Sequence, residues 1–220
     1  MPGWPKTLQT LLLAVSLGLV SAGAGWLAWN TLESGSDQTP ASLLVLPEPR
    51  VIADFRLIDE QQQTFSLDDF KGHWSVLFFG FTHCPDICPN TLYQLKQARQ
   101  EMLEAGKPSN PPDFYLVSVD PERDTPQKLN EYLAYFDPTF RGLTGDAAQL
   151  KALTFQLGVM YHIEDHGADD TEYTVDHSAS LLLLNPAGKL HGVFPTPHNV
   201  ETIVADLVKA IDGGNGAGGG

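Results

Sequence analysis

The feature that most constrains this chain is an apolar run, residues 74–81, that leads directly to its two cysteines. The run reads Trp-Ser-Val-Leu-Phe-Phe-Gly-Phe, Cys84 and Cys88 follow it closely, and the 220 residues contain no other cysteine. A run this continuously apolar predicts a strand with no solvated face, which is typical of a sheet covered by helices. Small molecules and ions usually bind at the mouth of such a sheet. The sequence therefore predicts that the chemistry of this protein lies at the cysteine pair.

Strand and helix patterns alternate along most of the chain. Such alternation, closed by a hairpin and a last helix, predicts an α/β fold with a mixed sheet flanked by helices and an N-terminal hairpin. A cysteine motif between the first core strand and its helix is the thioredoxin-like arrangement. The predicted strands are 51–57, 64–66, 74–81, 114–119, 160–163, 173–175, 180–185 and 190–194, and the predicted helices are 89–105, 125–136, 147–157 and 199–211.

The N-terminal segment differs from this domain in composition. After Lys6 no ionisable side chain occurs until Glu33, and the apolar stretch between them is long enough to cross a bilayer as a helix. We therefore predict a transmembrane anchor at residues 1–32, with a cleaved signal peptide as the alternative because Ala-Gly-Ala at residues 22–24 resembles a cleavage site. The single lysine favours a cytoplasmic N-terminus. Both interpretations place the following domain outside the cytoplasm, in the periplasm of a cell with an inner membrane.

Composition also divides the rest of the chain. Residues 33–49 are rich in Ser, Thr, Pro and Gly and predict a flexible linker, and residues 213–220 predict a disordered glycine-rich tail. Residues 50–212 remain for one domain with a full hydrophobic core. The net charge of −14 argues against nucleic acid or anionic lipid as the main partner. A cationic metal or a basic protein surface fits that charge better.

The spacing of the cysteines limits what they can do. Three residues separate them, and Pro89 could not donate the helical hydrogen bond to Pro85, so the segment is interpreted as a turn on which the two sulfurs converge. We place Cys88 at the N-cap of the following helix, where free N–H groups favour a thiolate. A structural disulfide, a thiol–disulfide exchanger and a soft-metal site all remain open. So small a loop would stabilise little as a disulfide, and a metal site needs a further ligand.

Histidine is the residue type to search for that ligand. His177 lies just before the predicted strand 180–185, and in a thioredoxin-like sheet the segment entering that strand faces the cysteine turn. His83 adjoins Cys84, but neighbouring side chains point apart. A second group, interpreted as a solvated acidic loop rather than a metal site, comprises His162, Glu164, Asp165, His166, Asp169 and Asp170.

Three motifs together closely resemble those of the Sco/SenC family, membrane-anchored copper proteins that serve the assembly of cytochrome c oxidase. They occur in order, and the likeness spans residues 53–211. The motifs are Gly-Phe-Thr-His-Cys-Pro-Asp-Ile-Cys-Pro at 80–89, Ser-Val-Asp-Pro-Glu-Arg-Asp-Thr at 118–125 and Val-Asp-His-Ser at 175–178.

The resemblance implies that Cys84, Cys88 and His177 bind one copper ion. Two thiolates and an imidazole suit Cu(I), and an added oxygen donor would allow Cu(II). Oxidation of the cysteines to a disulfide would destroy such a site, which couples redox state to metal loading. Asp176 could orient the His177 ring, and Asp120 could tune the site from the end of a core strand. For both carboxylates an ordinary turn or surface role is equally open.

The same resemblance implies a metallochaperone more than an enzyme. Copper would be delivered to the CuA centre of cytochrome c oxidase subunit II, with another periplasmic copper chaperone as a further partner. The alternative is a thiol–disulfide reductase that keeps the CuA cysteines reduced, in which Cys84 and Cys88 would be the catalytic pair. A peroxiredoxin-type peroxidase is disfavoured, because its motif places threonine three residues before the cysteine and Thr82 is two residues before Cys84.

Overall fold

The computed structural model describes residues 43–167 and 172–215. The predicted anchor at residues 1–32 and most of the predicted linker lie outside the described residues. Within the described part of the chain, no helix is long and apolar enough to cross a membrane.

The described residues form ten strands, which in chain order are β1 (Leu44–Arg50), β2 (Arg56–Asp59), β3 (Thr64–Ser66), β4 (Ser75–Gly80), β5 (Asp113–Ser118), β6 (Arg141–Thr144), β7 (Tyr161–Ile163), β8 (Val175–His177), β9 (Leu181–Leu184) and β10 (Leu190–Phe194). Eight of them form one mixed sheet in the order β1-β10-β9-β4-β5-β6-β2-β3, and the other two form a separate antiparallel ribbon, β7-β8. The predicted mixed sheet is confirmed, and β2 and β3 form the predicted N-terminal hairpin.

In the part of the chain that the structure describes, four α-helices accompany the sheet: α1 (Ile87–Ala105), α2 (Pro126–Phe136), α3 (Ala147–Leu157) and α4 (Val200–Asn215). The sequence specifies their starts through caps. Thr125 accepts a hydrogen bond from the Lys128 N–H ahead of Pro126, and Asp146 accepts from the first turn of α3. A short 3₁₀ helix, Leu67–Phe70, follows β3. Helix α1 packs against α4, and α2 packs against β6.

Strand β4 is the centre of the fold. All six of its residues are buried, because β5 pairs with it in parallel on one side and β9 pairs antiparallel on the other. The parallel register aligns Gly80 with Ser118, so the ends of β4 and β5 lie side by side. The cysteine segment and the loop of Asp120 therefore leave the sheet at the same edge.

Some predicted boundaries differ from the structure. Strand β1 lies largely within the range predicted as linker, because its backbone pairs with β10 although its side chains are mostly exposed. A strand was predicted at 51–57, but only its last residues belong to β2. Strand β6 was not predicted. Helix α4 continues to Asn215 and so includes the first residues of the predicted disordered tail.

Candidate metal centre

The cysteine segment turns sharply between β4 and α1. The Cys84 N–H donates a 3.4 Å hydrogen bond to the Phe81 carbonyl, and Asp86 is the N-cap of α1. The sequence had placed Cys88 at the N-cap and Pro89 at the first helical position. Both positions are wrong, because α1 starts earlier and takes in Ile87, Cys88 and Pro89 in its first turn. Cys84 stays outside the helix, as the turn interpretation requires.

The two thiols are neighbours inside the protein. Both cysteines are free, with exposed fractions of 8% for Cys84 and 0% for Cys88. The Cys88 N–H points at the Cys84 sulfur across 3.4 Å. Burial raises the pKa of the Cys88 thiol well above its ordinary value. The thiolate predicted from the helix N-terminus is therefore not favoured in the metal-free protein, because desolvation outweighs the helix N–H groups there.

His177 approaches the cysteines from the β7-β8 ribbon. It lies opposite Tyr161 in the pairing, and the ribbon continues with a hydrogen bond from the Ser178 N–H to the Met160 carbonyl. Its Nε2 lies 3.4 Å from the Cys88 sulfur. The ring packs edge-on against Phe78 and Phe81. This burial lowers the pKa of the imidazole, which favours the neutral ring that metals bind.

The ring orientation comes from a partner that the sequence did not suggest. The His177 Nδ1 lies 3.2 Å from the Ser178 carbonyl oxygen. A carbonyl only accepts, so Nδ1 carries the proton and the Nε2 lone pair is directed towards Cys88. Asp176 is exposed on β8, and no hydrogen bond joins it to the ring in the described structure. The partner of Nδ1 is thus the Ser178 carbonyl, and the orienting role of Asp176 stays a prediction.

One donor atom from each of Cys84, Cys88 and His177 lies within 4.8 Å of the others. The set contains two sulfurs and one nitrogen, held among aromatic side chains. Such soft donors fit Cu(I) and related soft ions, and they do not fit Mg²⁺ or Ca²⁺, which prefer oxygen ligands. The structure thus brings together the three residues that the sequence had selected.

Asp120 lies at the end of β5 in a buried network. It is 0% exposed, and it accepts a 2.6 Å hydrogen bond from the Tyr173 hydroxyl and a short one from Arg123 Nε. The Arg123 guanidinium stacks over the Tyr173 ring at 3.6 Å and donates to the Tyr173 carbonyl. Because Tyr173 shortly precedes β8, this network ties the Asp120 loop to the strand of His177. Nothing in the local sequence pattern indicates the contact of Arg123 with Tyr173.

A second group of donor atoms, from His83, Asp120 and Asp124, also falls within 4.8 Å. The carboxylates of this group already accept hydrogen bonds from other residues of the protein. Asp124 accepts from the Thr82 N–H and hydroxyl and from the Ser118 hydroxyl, and Asp120 is bound as described above. The Lys128 ammonium lies 2.9 Å from His83 Nε2, where it would repel a cation. This group is a structural network.

The structure describes only part of the acidic loop that follows β7. His166 stacks on Tyr173 with ring centroids 3.7 Å apart. Glu164 accepts a hydrogen bond from the Thr174 hydroxyl. Among the described residues of this loop, no three side chains bring possible metal ligands close together. Asp169 and Asp170 lie outside the described residues.

A cavity of about 860 Å³ opens beside His177. Strands β7 and β8 and the end of α3 form its wall, and its apolar side chains include Phe155 and Met160, which are 86% and 80% exposed. His177 is half-buried and borders this cavity, whereas Cys84 and Cys88 are both buried.

The chain matches the family model described as SCO1/SenC over residues 46–212. It is 36% identical over 197 residues to a protein of Bos taurus named "Protein SCO2 homolog, mitochondrial", covering 89% of this chain and 73% of the relative. It is 41% identical over 140 residues to a SCO2-like protein of Rickettsia felis, covering 64% of this chain and 67% of the relative.

The fold is also similar to solved structures. The crystal structure of Arabidopsis thaliana ScoI with copper bound superposes with a TM-score of 0.67 at 34% sequence identity, covering 73% of this chain and 98% of that one. The region matched by the family model, residues 46–212, contains the β4–α1 cysteine segment, the Asp120 loop and the β7-β8 ribbon. Together with the extent of the family match, these findings show that the chain belongs to the SCO1/SenC family.

Proposed function

We propose that this protein binds one copper ion through Cys84, Cys88 and His177 and delivers it to the CuA centre of cytochrome c oxidase subunit II during oxidase assembly. The observation that carries the proposal is the convergence of two sulfurs and one imidazole nitrogen within 4.8 Å. The copper-bound ScoI of Arabidopsis thaliana, which shares the fold, supports copper as the metal.

The donor set suits a copper cargo. Two thiolates and an imidazole satisfy Cu(I) at low coordination, and added oxygen donors would permit Cu(II). In the metal-free protein, burial keeps the Cys88 proton in place, so uptake of copper must release protons from the thiols. His177 is neutral and its Nε2 is already directed inward, so the imidazole needs no such release.

Delivery requires ligands that can be exchanged for those of an acceptor. A closed four-ligand protein cage would resist exchange, whereas three ligands leave room for an incoming donor. His177 borders the open cavity beside the ribbon. An acceptor could therefore replace the imidazole first and the two sulfurs afterwards. The apolar N-terminal segment supports a site of action at the membrane, with the chain anchored in the inner membrane and its domain in the periplasm, where a second copper chaperone would load it.

A second function is favoured by one observation, the adjacency of the two cysteines, with the Cys88 N–H 3.4 Å from the Cys84 sulfur. Such a pair could act as a thiol–disulfide reductase: one thiolate attacks a disulfide of the CuA site, and the second displaces the target sulfur, leaving a disulfide across Cys84 and Cys88 and a reduced target. This exchange uses both cysteines and does not use His177.

The deciding experiment is an anaerobic copper titration of the reduced full chain beside its His177→Ala variant. We expect one copper per chain, sulfur-to-Cu(II) charge-transfer absorption in the Cu(II) form, and loss of both high affinity and that band in the variant. A matched control is His162→Ala, which removes an exposed histidine of the same ribbon. Weak copper binding that is independent of His177, combined with ready disulfide cycling, would refute delivery and leave the reductase.

A further inference from the structure

His198 donates a hydrogen bond to the backbone beside the candidate ligand His177. Its Nε2 lies 2.7 Å from the Ala179 carbonyl oxygen, and a carbonyl only accepts, so Nε2 carries the proton. The other ring nitrogen, Nδ1, is inaccessible to solvent and has no hydrogen-bond partner among the residues that the structure describes. A buried nitrogen in that state costs free energy. An apolar ring would avoid the cost, so packing alone does not explain a histidine at this position.

The backbone of His198 is fixed by two helices. Its carbonyl accepts a 3.4 Å hydrogen bond from the Gln94 side chain of α1. The side chain of the next residue, Asn199, accepts a 3.0 Å hydrogen bond from the Thr202 N–H in the first turn of α4, and α1 packs against α4. The imidazole therefore reaches Ala179 from a loop that the helices hold in place.

The segment that receives this bond joins the β7-β8 ribbon to the main sheet. In the described structure the residues between β8 and β9 belong to no strand, but they are held at two points. The Ser178 N–H donates a 2.9 Å hydrogen bond to the Met160 carbonyl, which extends the ribbon. The Ala179 carbonyl accepts the bond from His198, which ties the segment to the helices.

The Ser178 carbonyl lies between these two points. It is the oxygen that lies 3.2 Å from His177 Nδ1, and the opposite ring nitrogen, Nε2, lies 3.4 Å from the Cys88 sulfur. Each residue contributes two soft backbone dihedrals, so only the dihedrals of Ser178 and Ala179 separate the two anchoring hydrogen bonds. Because both ends are fixed, this carbonyl has little freedom to rotate. Without the anchor at Ala179 it could turn away from Nδ1.

We propose that His198 positions the metal centre through this backbone. Its bond to Ala179 keeps the Ser178 carbonyl on His177 Nδ1, and so maintains the tautomer whose Nε2 lone pair is directed at Cys88. His198 is a positioning residue, since it acts on a bound metal only through the backbone beside a ligand. The inference rests on the proposed function where it concerns copper, but the state of the His177 ring can be observed without metal.

The experiment compares the reduced full chain with His198→Phe and with the control His191→Phe. Both substitutions replace a half-buried imidazole by an apolar ring, but His191 lies on β10, where its ring packs edge-on against Trp74. The first readout is the tautomer of His177 in the metal-free protein near neutral pH. Long-range proton–nitrogen NMR spectra of the histidine rings report it, with the signals assigned through His177→Ala. The second readout is Cu(I) affinity, measured anaerobically by competition with a chromogenic chelator.

In the wild type and in His191→Phe we expect His177 in the Nδ1–H tautomer. In His198→Phe we expect a mixture of the two tautomers, and a Cu(I) affinity roughly ten- to hundredfold below that of His191→Phe, as for other partners that orient a ligating histidine. A general loss of packing would lower the thermal midpoint of both variants and leave the His177 tautomer unchanged.

Two results with the variants would overturn the inference: His177 confined to the Nδ1–H tautomer in His198→Phe, or equal copper affinities of His198→Phe and His191→Phe. An Nδ1–H tautomer at His198 in the wild type would also overturn it, and this measurement does not depend on the folding of a variant. A wild-type protein that takes up no copper would instead refute the proposed function, and the tautomers would still show whether His198 holds the His177 ring.

Discussion

Gly80 and the sulfur of Cys88 occupy adjoining space at the end of β4. A Cβ atom built on Gly80 would lie 2.8 Å from the Cys88 Sγ, and 3.0 Å from a ring carbon of Phe78. Real Cβ atoms essentially never approach heavy atoms that closely. The last residue of the strand therefore determines where the second sulfur can sit.

Replacing this glycine should damage the metal site. In Gly80→Ala the added methyl must displace the Cys88 sulfur or Phe78, and overpacking of this kind costs about 1–3 kcal/mol. We expect lower stability in urea unfolding and at least about tenfold weaker Cu(I) binding by chelator competition, since 1.4 kcal/mol corresponds to a factor of ten.

The control for that substitution is Gly167→Ala. Among the described residues, a Cβ at Gly167 would meet nothing within 4 Å, so this variant should keep the wild-type stability and copper affinity. Equal behaviour of the two glycine variants would show that the close approach at Gly80 has no influence on the metal site.

The two cysteines should differ in reactivity in the reduced, metal-free protein. Cys84 is 8% exposed and Cys88 is 0% exposed, and burial raises the pKa of Cys88. Alkylation needs an accessible thiolate, so iodoacetamide at mildly alkaline pH should modify Cys84 first, by at least about tenfold in rate. Peptide mapping by mass spectrometry measures the order. In urea the difference should disappear, and a native protein whose cysteines react at equal rates would contradict the burial order.

Asp120 should stabilise the fold through its buried contacts. Asp120→Asn keeps an acceptor for the Tyr173 hydroxyl but removes the negative charge beside Arg123, whose side chain is 9% exposed. Disrupting a buried ion pair by removing one charge costs about 3–5 kcal/mol. We expect a loss towards the lower end of that range in urea unfolding, because the hydrogen bond from Tyr173 survives.

A double-mutant cycle tests whether the network joins its two segments. Tyr173→Phe removes the hydroxyl that donates to Asp120, and the Asp120→Asn and Tyr173→Phe effects should then be non-additive by more than about 0.5 kcal/mol. Strict additivity would mean that the Asp120 loop and the segment before β8 are energetically independent.

Stability should fall in mild acid through three half-buried histidines. Burial lowers the pKa values of His177, His191 and His198, so the unfolded chain, in which histidine titrates near about 6.5, binds more protons than the folded chain below that pH. The stabilisation is therefore fully present above about pH 6.5 and is lost as the pH falls through the lower folded-state values.

The measurement is urea unfolding of the reduced, metal-free protein at pH 7.5 and 5.5, for the wild type and for His198→Gln. The variant lacks one titrating group and should lose less stability between the two pH values, even though it also loses the 2.7 Å hydrogen bond to the Ala179 carbonyl. If the variant lost as much unfolding free energy between pH 7.5 and 5.5 as the wild type, His198 would be excluded as a source of the acid sensitivity.

Local patterns and the family resemblance were enough to predict the sheet class, the helices around it and the three converging residues. They succeed because the apolar run of β4, the caps Thr125 and Asp146 and the spacing of the cysteines are all encoded within short windows. Strand β6 was missed because Arg141–Thr144 is short and contains a glycine, and it becomes a strand only by pairing with β2 and β5. Strand β1 was missed for the related reason that its mostly exposed residues show no buried face.

The features of the site that could not be predicted are contacts between residues distant in the sequence. Tyr173 was predicted only as the first residue of a short strand, and the fold alone brings its hydroxyl to Asp120. The helix N-terminus at Cys88 could be located approximately, but the desolvation of its thiol depends on β4, α1 and the ribbon together. The carbonyl of Ser178 as the partner of the His177 ring depends on backbone geometry that no residue type reveals.

The β7-β8 ribbon is separate from the eight-stranded sheet, and this gives the three donors unequal mechanical support. The cysteines follow the most buried strand of the molecule, whereas His177 sits on a two-stranded ribbon, a unit that has little stability of its own. Local opening of the ribbon would withdraw the imidazole while the core stayed intact. A bound ion would link the ribbon to the cysteine segment of the core. After its release, the ribbon amides would exchange with solvent faster than those of the core.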